Sequence, residues 1–455
     1  MVGKASLLLV LGFSLIFLVF GQRFVSLSGQ ATDNMVDYYS DAVAHECASA
    51  GANMATTEFF RNQSWSAGFN NLDFNGGKIN VTIQRSANIV ITSIGTYRDI
   101  THKDVVTFSN GSFSRYAYFS TMENDGPGNP PIWWTPNDTV WGPFHTQDYM
   151  YVYNHPVFLG PVSTAKNLVY YNYYQKYPSQ LPQNPTNYYQ RRDYNNSIAS
   201  DAPVFKGGFD PATNNPMPLD GLADIKAAAQ LGGFYIPKSQ STITVHKPWG
   251  TYTQTVDDTA YITFNNNQVI IKMGYSKSPT TYNLSDVAPN GVLYVQGMNV
   301  RLKGTVEGQY TVAGEGSIFL DDNIVYKKDP RQHSNSTDLL GIVANDNVLI
   351  ANNDANNIDG INIDAAIYCQ TGGFGAEDYN TRPFSHYINL LGGITQYKRQ
   401  AVGTFGGYSG NTGFYKRYRY DQRLWDKLAP PYYPHTEKPT ILSWLSLLLI
   451  KALII

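Results

Sequence analysis

From residue 5 to residue 21 the chain carries no charged side chain and reads almost entirely as Leu, Val, Phe and Ile, with Lys4 before it and Arg23 after. Such a run lies at the short end of what crosses a hydrocarbon core as a helix. A cleavable secretory signal has the same pattern, with small residues near 28–31, and both readings stand on this segment alone. From residue 24 to about 60 the apolar positions keep helical spacing. Val36, Tyr39, Val43, Cys47, Ala50 and Met54 recur every three or four residues and mark a helix-packing face. Asp33, Asp37 and Asp41 form a second stripe, where like charges cost a few tenths of a kcal/mol, so the stripe needs water or an external partner. Ala42, Ala44, Ala48, Ala50, Ala52 and Ala55 make a smooth surface suited to partner helices. Ser28-Gly29 is the expected kink, with Thr32 or Asp33 capping a second helix.

Beyond residue 62 the periodicity changes to short apolar alternations broken by Gly, Asn, Pro and Asp. Segments 78–84, 88–94, 260–264 and 268–273 have strand length with turn residues at both ends. One later stretch, 219–230, reads as helix between Pro218 and Gly232-Gly233. From Gly291 the strands crowd: 292–295, 300–302, 310–312, 318–320, 342–343, 348–350, 361–368 and 388–391. Ala202-Pro203-Val204-Phe205-Lys206-Gly207 echoes His155-Pro156-Val157-Phe158-Leu159-Gly160, a short internal repeat. The pattern predicts a mainly β fold: a long N-terminal helix, membrane-spanning in its first half, followed by a β-rich body. A right-handed parallel β-helix is favoured, with a β-sandwich as the alternative. The expected organisation is an anchor and Ala-rich helix over 1–62, a β-rich connecting region over 63–140, a β-helix-like domain over 141–434, and an apolar tail over 435–455.

Two stretches resemble known families. The apolar run followed by Asp33, Tyr39 and Ala44-His45-Glu46-Cys47-Ala48-Ser49-Ala50-Gly51-Ala52-Asn53-Met54-Ala55 resembles the N-terminal helix of PilX-type minor pilins. The second stretch begins with Trp141-Gly142-Pro143-Phe144-His145-Thr146 and Ala288-Pro289-Asn290-Gly291-Val292-Leu293-Tyr294-Val295. It continues through Asp321-Asp322-Asn323-Ile324-Val325-Tyr326 and Tyr418-Arg419-Tyr420-Asp421-Gln422-Arg423. These segments resemble the bacterial cell-envelope family known as domain of unknown function 4900. Together the resemblances imply a minor-pilin-like start and a β-helical body, with no activity attached.

Composition narrows the chemistry. Charged residues make up 15% of the 455 and aromatics 14%, which excludes a disordered chain and a coiled coil. With a net charge of −2, no global field draws nucleic acid. Cys47 and Cys369 are too few for a disulfide framework; a bridge between them and two separate buried thiols both stay open. Asp321-Asp322 is an adjacent acidic pair of the kind a polysaccharide-cleaving β-helix would need, and it reads more simply as a turn. Asn345-Asp346-Asn347 and residues 352–359 are oxygen-rich without calcium-loop spacing. His145, Asp148 and His155 lack a fourth ligand. No catalytic, cofactor-binding or metal residue is assigned, and no cofactor is expected. Trp133, Trp134 and the Tyr clusters at 170–174 and 188–189 are the candidates for stacking a glycan.

Lys4 ahead of the span and the large body behind it orient the chain with its body outside the inner membrane. The expectation is a non-enzymatic cell-envelope structural protein, held in the inner membrane by residues 5–21. It would be part of a pilus-like or secretion-associated assembly of pilin-like helices, with its body in the periplasm or at the cell surface. A polysaccharide-active β-helix enzyme and a glycan-binding surface adhesin are the alternatives.

Overall fold

The computed structural model describes residues 2–62, 65–85, 88–109, 112–171, 174–176, 203–215, 217, 221–274, 277–406, 409–426, 428–434 and 440–449. The fold is mainly β behind a long N-terminal helix, and the chain divides into two compact units, Met1–Asn110 with Lys438–Ile455, and Gly111–Glu437.

The first unit is built on one unbroken helix, α1 (Val2–Arg61). At about 1.5 Å per residue it is about 90 Å long. The helix continues through Ser28-Gly29, the site of the expected kink, and no second helix begins there. Thr32, instead of capping a second helix, donates its hydroxyl to the Ser28 carbonyl at 2.9 Å, one turn back in the same helix. An antiparallel sheet follows: β1 (Phe69–Phe74), β2 (Gly77–Arg85), β3 (Asn88–Tyr97) and β4 (Ile100–Ser109), in that spatial order. Strand Thr440–Leu449, from the apolar tail, pairs antiparallel with the free edge of β4. Period-two alternation points Ile79 and Val81, Ile89 and Ile91, and Val106 and Phe108 into one core with Val43, Cys47, Ala52, Ala55 and Phe59 of α1.

The second unit is a stack of parallel coils; the sandwich alternative is excluded by the parallel pairing of its successive strands. One column of strands runs Phe234–Ile236, Val292–Val295, Gln309–Gly314, Leu339–Ala344, Ile361–Cys369 and Phe384–Lys398. It then continues, in the same direction, into Tyr118–Met122, Phe144–Thr146, Val162–Thr164 and Phe209–Asp210. The stack is therefore a rotated version of the sequence. The latest coil docks on the earliest one, and the chain enters the solenoid in its middle. Residues 211–215 and 221–233 run back along the stack, which begins again at the far end. The Thr213 amide donates to the Thr164 carbonyl, the Leu222 amide donates to the Gln370 side-chain oxygen, Lys226 pairs with Glu315 at 2.8 Å, and the Asn290 side-chain amide donates to the Ala228 carbonyl on helix α2 (Gly221–Gly232).

Register explains the apolar pattern. Leu293, Val312, Ile342, Ile367, Ile394, Tyr118, Phe144 and Val162 stand opposite one another in successive coils, all buried. The short repeat is a pair of stacked corners: Val157–Phe158 pairs in parallel with Val204–Phe205. A Cβ on Gly160 would fall on the Gly142 backbone, and one on Gly207 on the Gly160 backbone, so only glycine fits this corner.

The docking of late coil on early coil carries two buried ion pairs. Arg399 meets Glu123 at 2.7 Å and Lys416 meets Asp138 at 2.6 Å, with all four side chains almost fully buried. Glu123 also accepts from Tyr118, Ser120 and Trp134, so the charge is satisfied on every side.

Candidate functional site

The feature that distinguishes this chain is the change in environment along α1. Every large apolar side chain from Leu7 to Leu27 is at least half exposed. The same helix becomes buried from Ser40 onward, where it lies across β2, β3 and β4. By length and composition α1 is apolar enough to cross a membrane.

The residues expected to form a packing face divide along this line. Val43 and Cys47 are buried in the unit's core, Ala50 and Met54 pack at its margin, and Val36 and Tyr39 are exposed, with Tyr39 edge-on to Tyr97 at 6.0 Å. The centre of the contact is a different stripe: Ala44, Ala48, Ala52, Ala55 and Phe59, none of them exposed. Of the Ala-rich surface assigned to partner helices, Ala44, Ala48, Ala52 and Ala55 are thus covered by the chain's own sheet, while Ala42 and Ala50 stay half-buried. The cause is how closely the backbones approach. A Cβ on Gly95 in β3 would land on the Ala48 amide nitrogen and the Ala44 carbonyl oxygen, and one on Gly77 would lie 2.6 Å from the Cys47 sulfur. Only small residues fit where two backbones nearly touch. A glycine inside a strand pattern is the signal that would have located this contact in the sequence.

Polar groups fix the helix on the sheet. Asp104, fully buried, accepts hydrogen bonds from Ser49 of α1 at 2.9 Å, and from Trp444 and Ser446 of the last strand at 3.2 and 2.6 Å. One carboxylate thereby ties helix, β4 and C-terminal strand together. Asp41, third in the acidic stripe, pairs with His102 of β4 at 2.9 Å, while Asp33 and Asp37 stay exposed.

The stacking candidates also separate. Trp134 is fully buried in the solenoid, with the Arg399 guanidinium 4.0 Å over its ring and its Nε1–H donated to Glu123; it is unavailable to a glycan. Trp133 is half-buried, edge-on to Tyr151 at 5.7 Å, and lines a groove of about 420 Å³ with Tyr379, Phe405 and Tyr415. Tyr170 stacks on Tyr151. Residues 172–173 and 188–189 of the tyrosine clusters lie outside the described residues.

The remaining chemistry is engaged structurally. Asp321 pairs with Arg301 at 2.6 Å across neighbouring coils, and Asp322 caps the Asn323 amide. Asn323, Asn362 and Asn389 form a side-chain ladder across three coils, and Asn353 caps the short helix Asp354–Ile358. His145 bonds Ser163 and Gln147, whereas Asp148 accepts from the Glu123 and Tyr149 amides. Among the described residues no group of three His, Cys, Asp or Glu is placed to hold a metal. Cys47 and Cys369 are both free and buried, each in its own unit.

No family model and no curated protein matches the chain, so the resemblance to domain of unknown function 4900 finds no support there. Among solved structures the chain is similar to the competence-associated pilin ComZ from Thermus thermophilus. The identity is 12% and the TM-score 0.33, over 90% of this chain and 98% of that one.

Proposed function

We propose that the protein is a non-enzymatic, membrane-anchored component of the cell envelope that works in the manner of a minor pilin. Its helix inserts by its exposed half and holds a β-solenoid body in the periplasm or at the cell surface. The observation that carries this reading is the division of α1: an apolar half that nothing in the unit covers runs without a break into a half clamped on its own sheet. A helix free to frustrate itself in water would not be exposed over so many consecutive apolar residues; lipid, or the helices of like subunits, satisfies it. Because Ala44, Ala48 and Ala52 are covered within the unit, contacts to other subunits fall to the exposed stretch up to Tyr39.

The test separates anchoring from assembly. Leu9→Asp with Ile16→Asp should release the full-length chain from carbonate-washed membranes into the soluble fraction, with Cys47 still protected from maleimide. Tyr38→Cys should give disulfide-linked species with neighbouring helices in intact envelopes. Recovery of the unsubstituted chain in the soluble fraction would overturn the anchor, and a purely monomeric Tyr38→Cys chain would overturn the assembly.

A further inference from the structure

Five of the seven tryptophans are engaged: Trp65 by Phe69, Trp133 by Tyr151, Trp134 by Glu123 and Arg399, Trp249 by Lys247, and Trp444 by Asp104. Trp141 and Trp425 are not. Among the described residues neither ring has an aromatic, cationic or hydrogen-bonding partner, and they are 36% and 54% exposed. Both line one open groove of about 700 Å³ in the solenoid unit, over a floor of Gly142-Pro143 and Gly160-Pro161 and beside Leu159, Arg419 and Gln422. Among the described residues no acidic side chain lines it.

Strand register orders the wall of this groove. Arg419 stands opposite Trp141. Val140 is paired with Phe158, and Phe158 with Phe205, so Trp141, Leu159 and Lys206 follow in neighbouring coils. Arg419, Trp141, Leu159 and Lys206 therefore form one outward column, about 14 Å long at ~4.8 Å per coil. Arg419 and Lys206 are exposed and form no hydrogen bond or ion pair through their side chains within the described chain.

We infer that this groove binds an acidic oligosaccharide, a uronate-containing chain. An indole face takes the C–H face of a sugar ring, and its free N–H donates to a ring or hydroxyl oxygen. The guanidinium fork of Arg419 matches a carboxylate in two parallel hydrogen bonds. The Gln422 amide supplies both donor and acceptor to hydroxyl groups. A single-stranded nucleic acid would also stack on tryptophan, but its backbone needs a continuous cationic track. Here two cations stand at the ends of the column on a chain of net charge −2. This site is separate from the anchoring role, so its failure and the anchor's failure are distinguishable.

The test is titration of tetragalacturonate and tetramannuronate into the full-length chain in detergent, followed by tryptophan fluorescence and calorimetry. Trp141→Ala and Trp425→Ala should each weaken binding roughly tenfold. Arg419→Gln should abolish the preference for a uronate over neutral cellotetraose, and Trp249→Ala should change nothing. Maleimide protection of Cys369 verifies that each variant keeps its solenoid. Binding of neither uronate, binding unchanged in the Trp141→Ala/Trp425→Ala double variant, or tighter binding of oligothymidylate would overturn the inference.

Discussion

The two units bury comparable apolar patterns by opposite means. In the first, α1 lies so close to the sheet that Gly95 and Ala48 meet backbone to backbone, and the contact is made of what is missing from the side chains. In the second, coils are separated by the fixed spacing of a β-ladder, and the interior is filled by large residues such as Ile342, Ile367, Tyr118 and Phe144 standing opposite one another. Close backbone approach tolerates no added volume, whereas a ladder tolerates exchange among residues of similar size. The free cysteines report each case separately, because Cys47 is buried in the first unit and Cys369 in the second.

The largest effect should follow from adding atoms to the first contact. Gly95→Val places a branched side chain on the helix backbone, with no flexible group to yield. The expected cost is more than about 4 kcal/mol, the range reserved for gross steric failure. Cys47 should then become reactive to maleimide at native pH while Cys369 stays protected. Val312→Ile, an addition of one methylene in the ladder, should leave both protected. Equal labelling of the two cysteines in Gly95→Val would show that the substitution does not act on the helix–sheet contact alone, and no labelling would refute the backbone contact.

The next effect breaks the solenoid where its order turns back on itself. Arg399→Met leaves Glu123 charged and buried among coils, which costs roughly 3–5 kcal/mol. The double variant Arg399→Met/Glu123→Leu removes both charges and should recover part of that. Recovery stays incomplete because the Tyr118, Ser120 and Trp134 donors lose their acceptor. Urea unfolding monitored by Cys369 protection measures both. A double variant no better than the single would mean that the ion pair does not set the docking of the coils.

These cases show what the sequence reveals and why. Segments 342–343, 348–350 and 361–368 are legible as strands because each is a short apolar run of strand length between turn residues, and all three are strands in the stack. The helix over 219–230 is likewise marked by its flanking Pro and Gly residues. The face of α1 is legible in part: periodicity weighted by hydrophobicity finds Val43 and Cys47 in the core and Ala50 and Met54 at its margin, but it also selects the exposed Val36 and Tyr39 and leaves out Ala44 and Ala48. The order of the coils has no local signal at all, since Arg399 and Glu123 are 276 residues apart. Trp134 looked like a ligand platform because aromatic residues read alike in a sequence; a buried cation over its ring is visible only after folding.

The smallest effect is a pH dependence that two ladder residues hide from each other. His145 accepts from Gln147 at Nε2 and bonds Ser163 through Nδ1, the pattern of a neutral ring. Burial, with the Arg115 charge adding to it, pushes its pKa down to about 4. The unfolded chain binds this proton below about 6.5, so the group's contribution, about 3 kcal/mol, is present above that pH and is lost as pH falls toward 4. Asp364, which accepts from the Tyr326 amide, runs the other way: burial raises its pKa to about 6. Its folded form holds a proton that the unfolded form has released, so it disfavours folding as pH rises from about 3.8 to 6. The two slopes oppose each other over the same window, and the wild-type urea midpoint should change little between pH 4 and pH 6.5 on their account. His145→Gln should remove one slope, leaving a variant whose midpoint rises on acidification relative to wild type. Asp364→Asn should remove the other, with a midpoint that falls relative to wild type. Parallel profiles for all three proteins would show that neither group titrates with the fold.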